Sequence, residues 1–293
     1  MNTNSILAYL ALVVGIIYAV ILLRKGIKKG RIQGYGKFGQ MAAGEGAVFF
    51  LAAIGFSDFL LNIPLFSKLK WVKDDMVPET LMASDVVPGA IIAFYYLQNA
   101  KEIGMEMLIP AMIATGLGCF IGSHFLLKAN AEKMRYIMFY ALIFSMIAFI
   151  VRLILTNGQA SELTTLPAGK IVISVIVLFI LGFMNAFGVP MKAPTAAMFS
   201  ILGLSPIMTL TIMLTMGMVS PAMGCIKIVK SDHYNQRVSV AAVIFGTVGA
   251  ILGCMLAISM DQLTLTIIML LIIGISIVDT GSKIKKSKAE KNI

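Results

Sequence analysis

Apolar residues gather along the chain into nine segments, near Ile6–Leu23, Ala47–Phe66, Leu81–Leu97, Met107–Leu127, Tyr136–Leu155, Ile171–Leu204, Ile207–Ile228, Val238–Ser259 and Leu263–Val278. A helix needs about 20 mostly apolar residues to cross the hydrocarbon core of a bilayer. Most of the segments approach that length, so the pattern predicts an all-α, polytopic membrane protein. Two segments depart from it. The second is interrupted by Gly55, Asp58, Asn62 and Pro64. The sixth is interrupted by Gly182, Asn185, Gly188, Pro190, Lys192 and Pro194 before apolar sequence resumes.

The interruptions recur at related places in two halves. Sliding one half over the other brings Thr80 onto Thr211, Ser84 onto Thr215, Gly118 onto Gly249 and Gly122 onto Gly253. With a short gap, Gly55 meets Gly182 and Pro64 meets Pro194. Each half therefore has a broken segment, a helix with small residues and a proline, a GxxxG helix and a final helix. Internal symmetry of this kind marks many secondary transporters. The expected organisation is an N-terminal transmembrane helix with a basic cytoplasmic loop (1–40), a first repeat (41–160), a second repeat (161–281) and a basic tail (282–293). Two topologies are open. Either all nine segments cross, or the broken ones are re-entrant hairpins beside seven crossings. The second gathers more of the 24 Lys and Arg residues on the cytoplasmic side, as the positive-inside rule prefers. It puts the N-terminus outside and the C-terminus in the cytoplasm of a multi-pass cell-membrane protein. It also requires the repeats to be inverted, because each contains three crossings.

Composition narrows the classes further. Hydrophobic residues make up 59% of the 293 and charged ones 13%, too apolar a balance for one soluble core. The net charge of +10 does not point to nucleic acid, because the basic runs, "RKGIKKGR" and "KIKKSKAEK", flank apolar segments. There they set orientation and meet anionic lipid headgroups. Cys119, Cys225 and Cys254 lie in apolar runs without CxxC spacing and are expected to pack, not to form disulfides. His124 has no second ligand at helical spacing and His233 lies in a basic loop, so neither a metal nor a cofactor is expected. The Ile6–Leu23 stretch lacks a basic n-region and a cleavage site, and is expected to remain as a helix.

Candidate chemistry concentrates in the broken segments. Irregular backbone at membrane depth must be buried in protein or line a wet cavity. A hairpin would bring the N-terminus of its second half-helix to mid-membrane, with Pro194 or Thr195 in the first turn. Two such N-termini meeting there would attract an anion. Lys192 adds a full charge, and Asn62 and Asn185 add amide donors. The expected substrate-binding set is Asn62, Pro64, Ser84, Asn185, Gly188, Pro190, Lys192, Pro194, Thr195, Thr215 and Ser220. The competing expectations are a loop position for Lys192 and back-bonding to helix carbonyls for the Ser and Thr hydroxyls. Asp58 and Asp85 are carboxylates within apolar sequence, a costly placement that marks them for proton coupling. Asp58 would carry the proton or neutralise Lys192 in the empty site. Glu45 is expected at the membrane interface, before the first hairpin.

The stretches "AAIGFSDFLLNIPLF", "GFMNAFGVPMKAPTAAMFSILGLSP" and "VAAVIFGTVGAILGCML" resemble the sulfite exporter TauE/SafE family, also called the toluene-sulfonate uptake permease family. The resemblance runs from about Gly44 to Val278 and implies a non-enzymatic secondary transporter of small sulfur-containing anions, such as sulfite, sulfonates or thiosulfate. The family's glycine cluster thins here to Gly55 in the first half and to Gly182 and Gly188 in the second. Those departures fall where the anion would bind, and Asp58 beside them favours proton coupling or a less typical substrate. The expected partners are the anion and the lipid bilayer, with a homodimer left open. The competing classes are an intramembrane enzyme acting on lipid phosphates and a transport-inactive membrane subunit.

Overall fold

The structure, a computed structural model, describes residues 3–29, 36–73, 76–100, 103–125, scattered positions from 136 to 154, 163–259 and 261–291. The fifth apolar segment and the Lys128, Lys133 and Arg135 cluster thus lie largely or wholly outside the described residues. What is described is helical, with no strand among it beyond one isolated bridge between Leu163 and Leu204. The chain is an all-α, multi-pass membrane protein: six of its described helical stretches are long and apolar enough to cross a bilayer.

The first is α1 (Thr3–Lys29). The second apolar segment divides into α2 (Phe38–Ala53) and α3 (Asp58–Lys68), and α4 (Val77–Asn99) and α5 (Met105–Phe125) follow. The sixth segment divides into α6 (Ala168–Asn185) and α7 (Lys192–Leu202), and α8 (Pro206–Ser231) follows. Then come α9 (Gln236–Ala241), a π turn over Ala242–Gly246 and α10 (Thr247–Ile258) in one rod, and finally α11 (Gln262–Lys291). The last helix continues without a break through the basic tail as far as Lys291.

Both broken segments fold back on themselves. After α2 the chain turns at Gly55, whose φ of +114° is open to glycine and strained for other residues. Ser57 caps α3, its hydroxyl accepting from Leu60 N at 3.4 Å. At the far end of α3, Trp71 lies against Gly44 and Gly36, beside the start of α2. The second hairpin closes in the same way. Lys170 Nζ at the start of α6 donates to Leu202 O at the end of α7 (2.7 Å), and Ser205 N donates to Leu163 O (2.9 Å).

The hairpins enter from opposite ends of the bundle. The first has its mouth by the start of α4 and the start of α9, where Asn235 donates through Nδ2 to Trp71 O (2.7 Å) and through its backbone N–H to Thr80 Oγ1 (2.9 Å). The second has its mouth by the end of α4 and the start of α5, where Thr165 Oγ1 donates to Glu106 Oε1 (3.0 Å). The central helix α4 joins these ends, packing against α8 on one side and α1 on another.

Glycine seams hold each hairpin to the other half. The first arm, α2, packs along α10, and a Cβ added at Gly249 or Gly253 would overlap the carbonyl oxygen of Gly46 or Phe50. The first arm of the second hairpin, α6, packs along α5, where a Cβ at Gly118 or Gly122 would overlap the carbonyl oxygen of Phe179 or Phe183. Such contact needs small residues, since lipid supplies no hydrophobic drive for helices to associate. The two GxxxG helices therefore play one role in opposite halves, each clasping the hairpin of the other.

Candidate functional site

The turns of the two hairpins bring the N-termini of α3 and α7 together inside the bundle. Asp58 is the first residue of α3 and Lys192 the first of α7, and their side chains form an ion pair between Lys192 Nζ and Asp58 Oδ1. Lys192 is 5% exposed and Asp58 2%, so Lys192 is buried at a helix start and not in an exposed loop. Asp58 suits the positive end of its helix, whereas Lys192 opposes the end of its own. The cation is held in that unfavourable place by carboxylates.

A second carboxylate stands beside the pair. Asp85, on α4, is 2% exposed, close enough to feel both Asp58 and Lys192, and its Oδ1 has no hydrogen-bond partner. Two glycines give the cluster its room. A Cβ at Gly89 would lie 3.4 Å from Asp85 Oδ1, and one at Gly217 of α8 would lie 3.0 Å from Lys192 Cε. Prolines shape the same level of both central helices. Pro88 in α4 and Pro221 in α8 have no N–H to donate, which deprives the carbonyls of Ser84 and Gly217 of their helical donors.

A third carboxylate is Glu45, and here the sequence expectation is corrected. Glu45 is not interfacial: it is 0% exposed, in the middle of α2, and its Oε2 accepts from Asn62 Nδ2 of α3 at 3.3 Å. Its Oε1 has no partner. The apolar run begins only at Ala47, but the helix begins at Phe38 and α3 folds back over it. Two buried carboxylates, Asp58 and Asp85, thus act on one buried lysine, and Glu45 is a third buried carboxylate next to Asp58. Leaving a buried charge uncompensated is costly, so carboxylates in excess of the one lysine are an expensive arrangement.

The other expected residues divide by what their polar atoms do. Ser84 Oγ and Thr195 Oγ1 are fully buried without partners, beside Asp85 and one turn from Lys192 respectively. Asn62 uses one amide hydrogen on Glu45, and its Oδ1 has no partner. Asn185 and Ser220 instead fasten the second hairpin. Ser220 Oγ donates to Asn185 Oδ1 (2.7 Å), and Asn185 Nδ2 donates to Val189 O (3.1 Å). Gly188 supplies a turn with φ +75° and Pro190 the buried return leg. Pro194 lies in the first turn of α7, where no N–H is needed, and Pro64 lies half-buried inside α3. Thr215 Oγ1 donates to Thr211 O (2.7 Å), back-bonding to its own helix.

Among the described residues no group of three or more His, Cys, Asp or Glu is arranged to hold a metal ion. The free cysteines Cys119, Cys225 and Cys254 are buried in packing. His124 Nδ1 pairs with Phe120 O (2.8 Å) at the end of α5. Compared with known protein families, curated proteins and solved structures, the chain matches none.

Proposed function

We propose that the chain is a secondary transporter of a small anion, coupled to protons through the cluster of Lys192, Asp58 and Asp85. The observation that carries this reading is the buried Lys192–Asp58 ion pair, set where two half-helices from opposite ends of the bundle meet. In the pair, Asp58 holds the position an anionic substrate would need. A proton delivered to Asp58 removes that competitor and leaves Lys192 a cation in need of a partner. The anion then binds Lys192, with the hydroxyls of Ser84 and Thr195 as donors and the free N–H groups of the α7 N-terminus adding positive potential. Loss of the proton restores the ion pair and expels the anion. Anion and proton therefore move together, and opposed hairpins give a frame in which the site opens to one side at a time.

The first anions to test are sulfite, thiosulfate and sulfonates, on the strength of the resemblance in the broken segments. Lys25, Lys68, Lys70, Lys73, Lys230 and Arg237 crowd the end of the bundle where the first hairpin enters, and the positive-inside rule assigns that end to the cytoplasm. An enzyme acting on lipid phosphates would need Arg and His among the buried groups, and none stands in the described cluster.

The test is uptake of labelled sulfite, thiosulfate and a sulfonate into proteoliposomes under an imposed pH gradient. Uptake driven by an acidic outside, abolished in Lys192→Ala and uncoupled from pH in Asp58→Asn, is the expected result. No anion moving above protein-free liposomes would sink the proposal. Release of phosphate from a polyprenyl phosphate would replace it with the enzymatic reading.

A further inference from the structure

A cavity of about 630 Å³ lies at the basic end of the bundle, apart from the buried ion pair. Its walls come from the start of α4 (Pro78, Glu79, Met82), the end of α5 (Ser123, His124) and the end of α8 (Lys227, Ile228, Ser231), with His233 at the rim and Ala186 from the tip of the second hairpin. A volume in this range holds a small ligand with its water. Most of the polar atoms in the wall are occupied. Ser123 Oγ donates to Phe120 O (2.7 Å), Ser231 Oγ donates to Ile228 O (3.0 Å), and His233 Nδ1 lies 3.4 Å from Glu79 Oε1. Lys227 differs: it is half-buried and has neither a hydrogen bond nor an ion pair among the described residues. A cation in a concave, largely apolar wall concentrates anions, because the low-dielectric sides focus its field.

The floor of the cavity approaches the ion-pair cluster. Met82 lies one helical turn before Asp85 on α4, and Ala186 directly follows Asn185, which fastens the hairpin that carries Lys192. Met82 closes the floor with a flexible, unbranched side chain whose Sδ lies against Gly224, where an added Cβ would overlap it.

We infer that this cavity is a second anion-binding station of the transport path, with Lys227 as its cation and Met82 as the side chain that separates it from Lys192. This inference rests on the anion-transport reading of the buried cluster. The anion is captured from water at Lys227, loses most of its hydration against the apolar wall, and passes Met82 when Asp58 is neutralised. Glu79 shares the wall with Lys227, its Oε1 3.4 Å from His233 Nδ1.

Charge-selective labelling tests the station independently of transport. In a chain with Cys119, Cys225 and Cys254 replaced by Ala, a single cysteine at Ser231 is reacted in lipid nanodiscs with negatively and positively charged methanethiosulfonates. A second chain carries its cysteine at the exposed Ser282 as the reference. Relative to that reference, the cysteine at 231 should prefer the anionic reagent by on the order of tenfold, and Lys227→Gln should remove the preference. Methanesulfonate, used as the probe anion, should slow labelling at 231. An equal ratio, a preference for the cationic reagent, or an unchanged ratio in Lys227→Gln overturns the inference. In proteoliposomes Lys227→Gln should raise KM with little change in kcat, whereas Lys192→Ala abolishes uptake. Selective labelling in a chain that transports nothing supports the binding station and removes the transport reading. Transport that is lost in Lys192→Ala but indifferent to Lys227→Gln removes the station and leaves that reading standing.

Discussion

The two hairpins share a backbone plan and differ in charge. Each has a longer first arm, a turn through a positive-φ glycine (Gly55 or Gly188), a shorter second arm, and a glycine seam with the opposite half. The first carries Glu45, Asp58 and Asn62, while the second carries Lys192, Thr195 and Asn185. The shared plan thus supplies geometry, two half-helix starts facing one another, and the differing side chains supply chemistry by placing acid on one and base on the other. Neither hairpin makes the site alone, since Asp58 without Lys192 would be a buried unpaired charge.

The largest expected effect comes from breaking that complementarity. Lys192→Ala leaves Asp58 and Asp85 without their cation and should cost about 3–5 kcal/mol of stability, read as a lower thermal unfolding midpoint in detergent. Lys192→Ala combined with Asp58→Asn removes both charges and should recover most of the midpoint without recovering transport. A midpoint that stays as low as in Lys192→Ala would mean that the loss does not come from an uncompensated Asp58 charge. Next in size are the seams. Gly249→Leu and Gly118→Leu both drive a side chain into a facing carbonyl, so both should lower the yield of folded protein severely and to similar degrees. A large difference between them would show that the halves are not mechanically equivalent.

A smaller effect separates fastening from binding. Ser220→Ala removes the hydrogen bond to Asn185 Oδ1 and should cost about 1–3 kcal/mol, with anion affinity reduced only as far as the hairpin loosens. Gly217→Ala crowds Lys192 Cε by a few tenths of an ångström and should weaken anion binding more than it lowers the midpoint. Smallest is Thr215→Val, whose hydroxyl serves its own helix. It should shift the midpoint by under about 1 kcal/mol and leave KM unchanged.

The breaks in the apolar segments were legible because glycine, proline and polar residues are conspicuous in sequence otherwise fit for lipid. The fate of each polar residue was not. Asn62 and Asn185 occupy related places, yet one meets a carboxylate and the other ties a turn. Ser84 and Thr215 were matched by the repeat, yet one hydroxyl is unpartnered and the other is spent on its helix. Glu45 was missed because its depth depends on where α2 begins and on α3 lying over it. One signal was available: Gly44 and Gly46 flank it, the kind of small neighbours that admit close packing on both sides.

By itself the sequence determined that the chain is helical, spans a membrane several times and breaks two of its apolar segments, because those properties follow from local apolarity, periodicity and backbone chemistry. Only the tertiary structure decided that the breaks are turns of hairpins from opposite ends, that Asp58 pairs with Lys192, and that Asp85 and Glu45 join them in burial. The Asp58–Lys192 contact joins residues more than a hundred positions apart through helix packing, and a segment's own composition does not encode which surface will cover it.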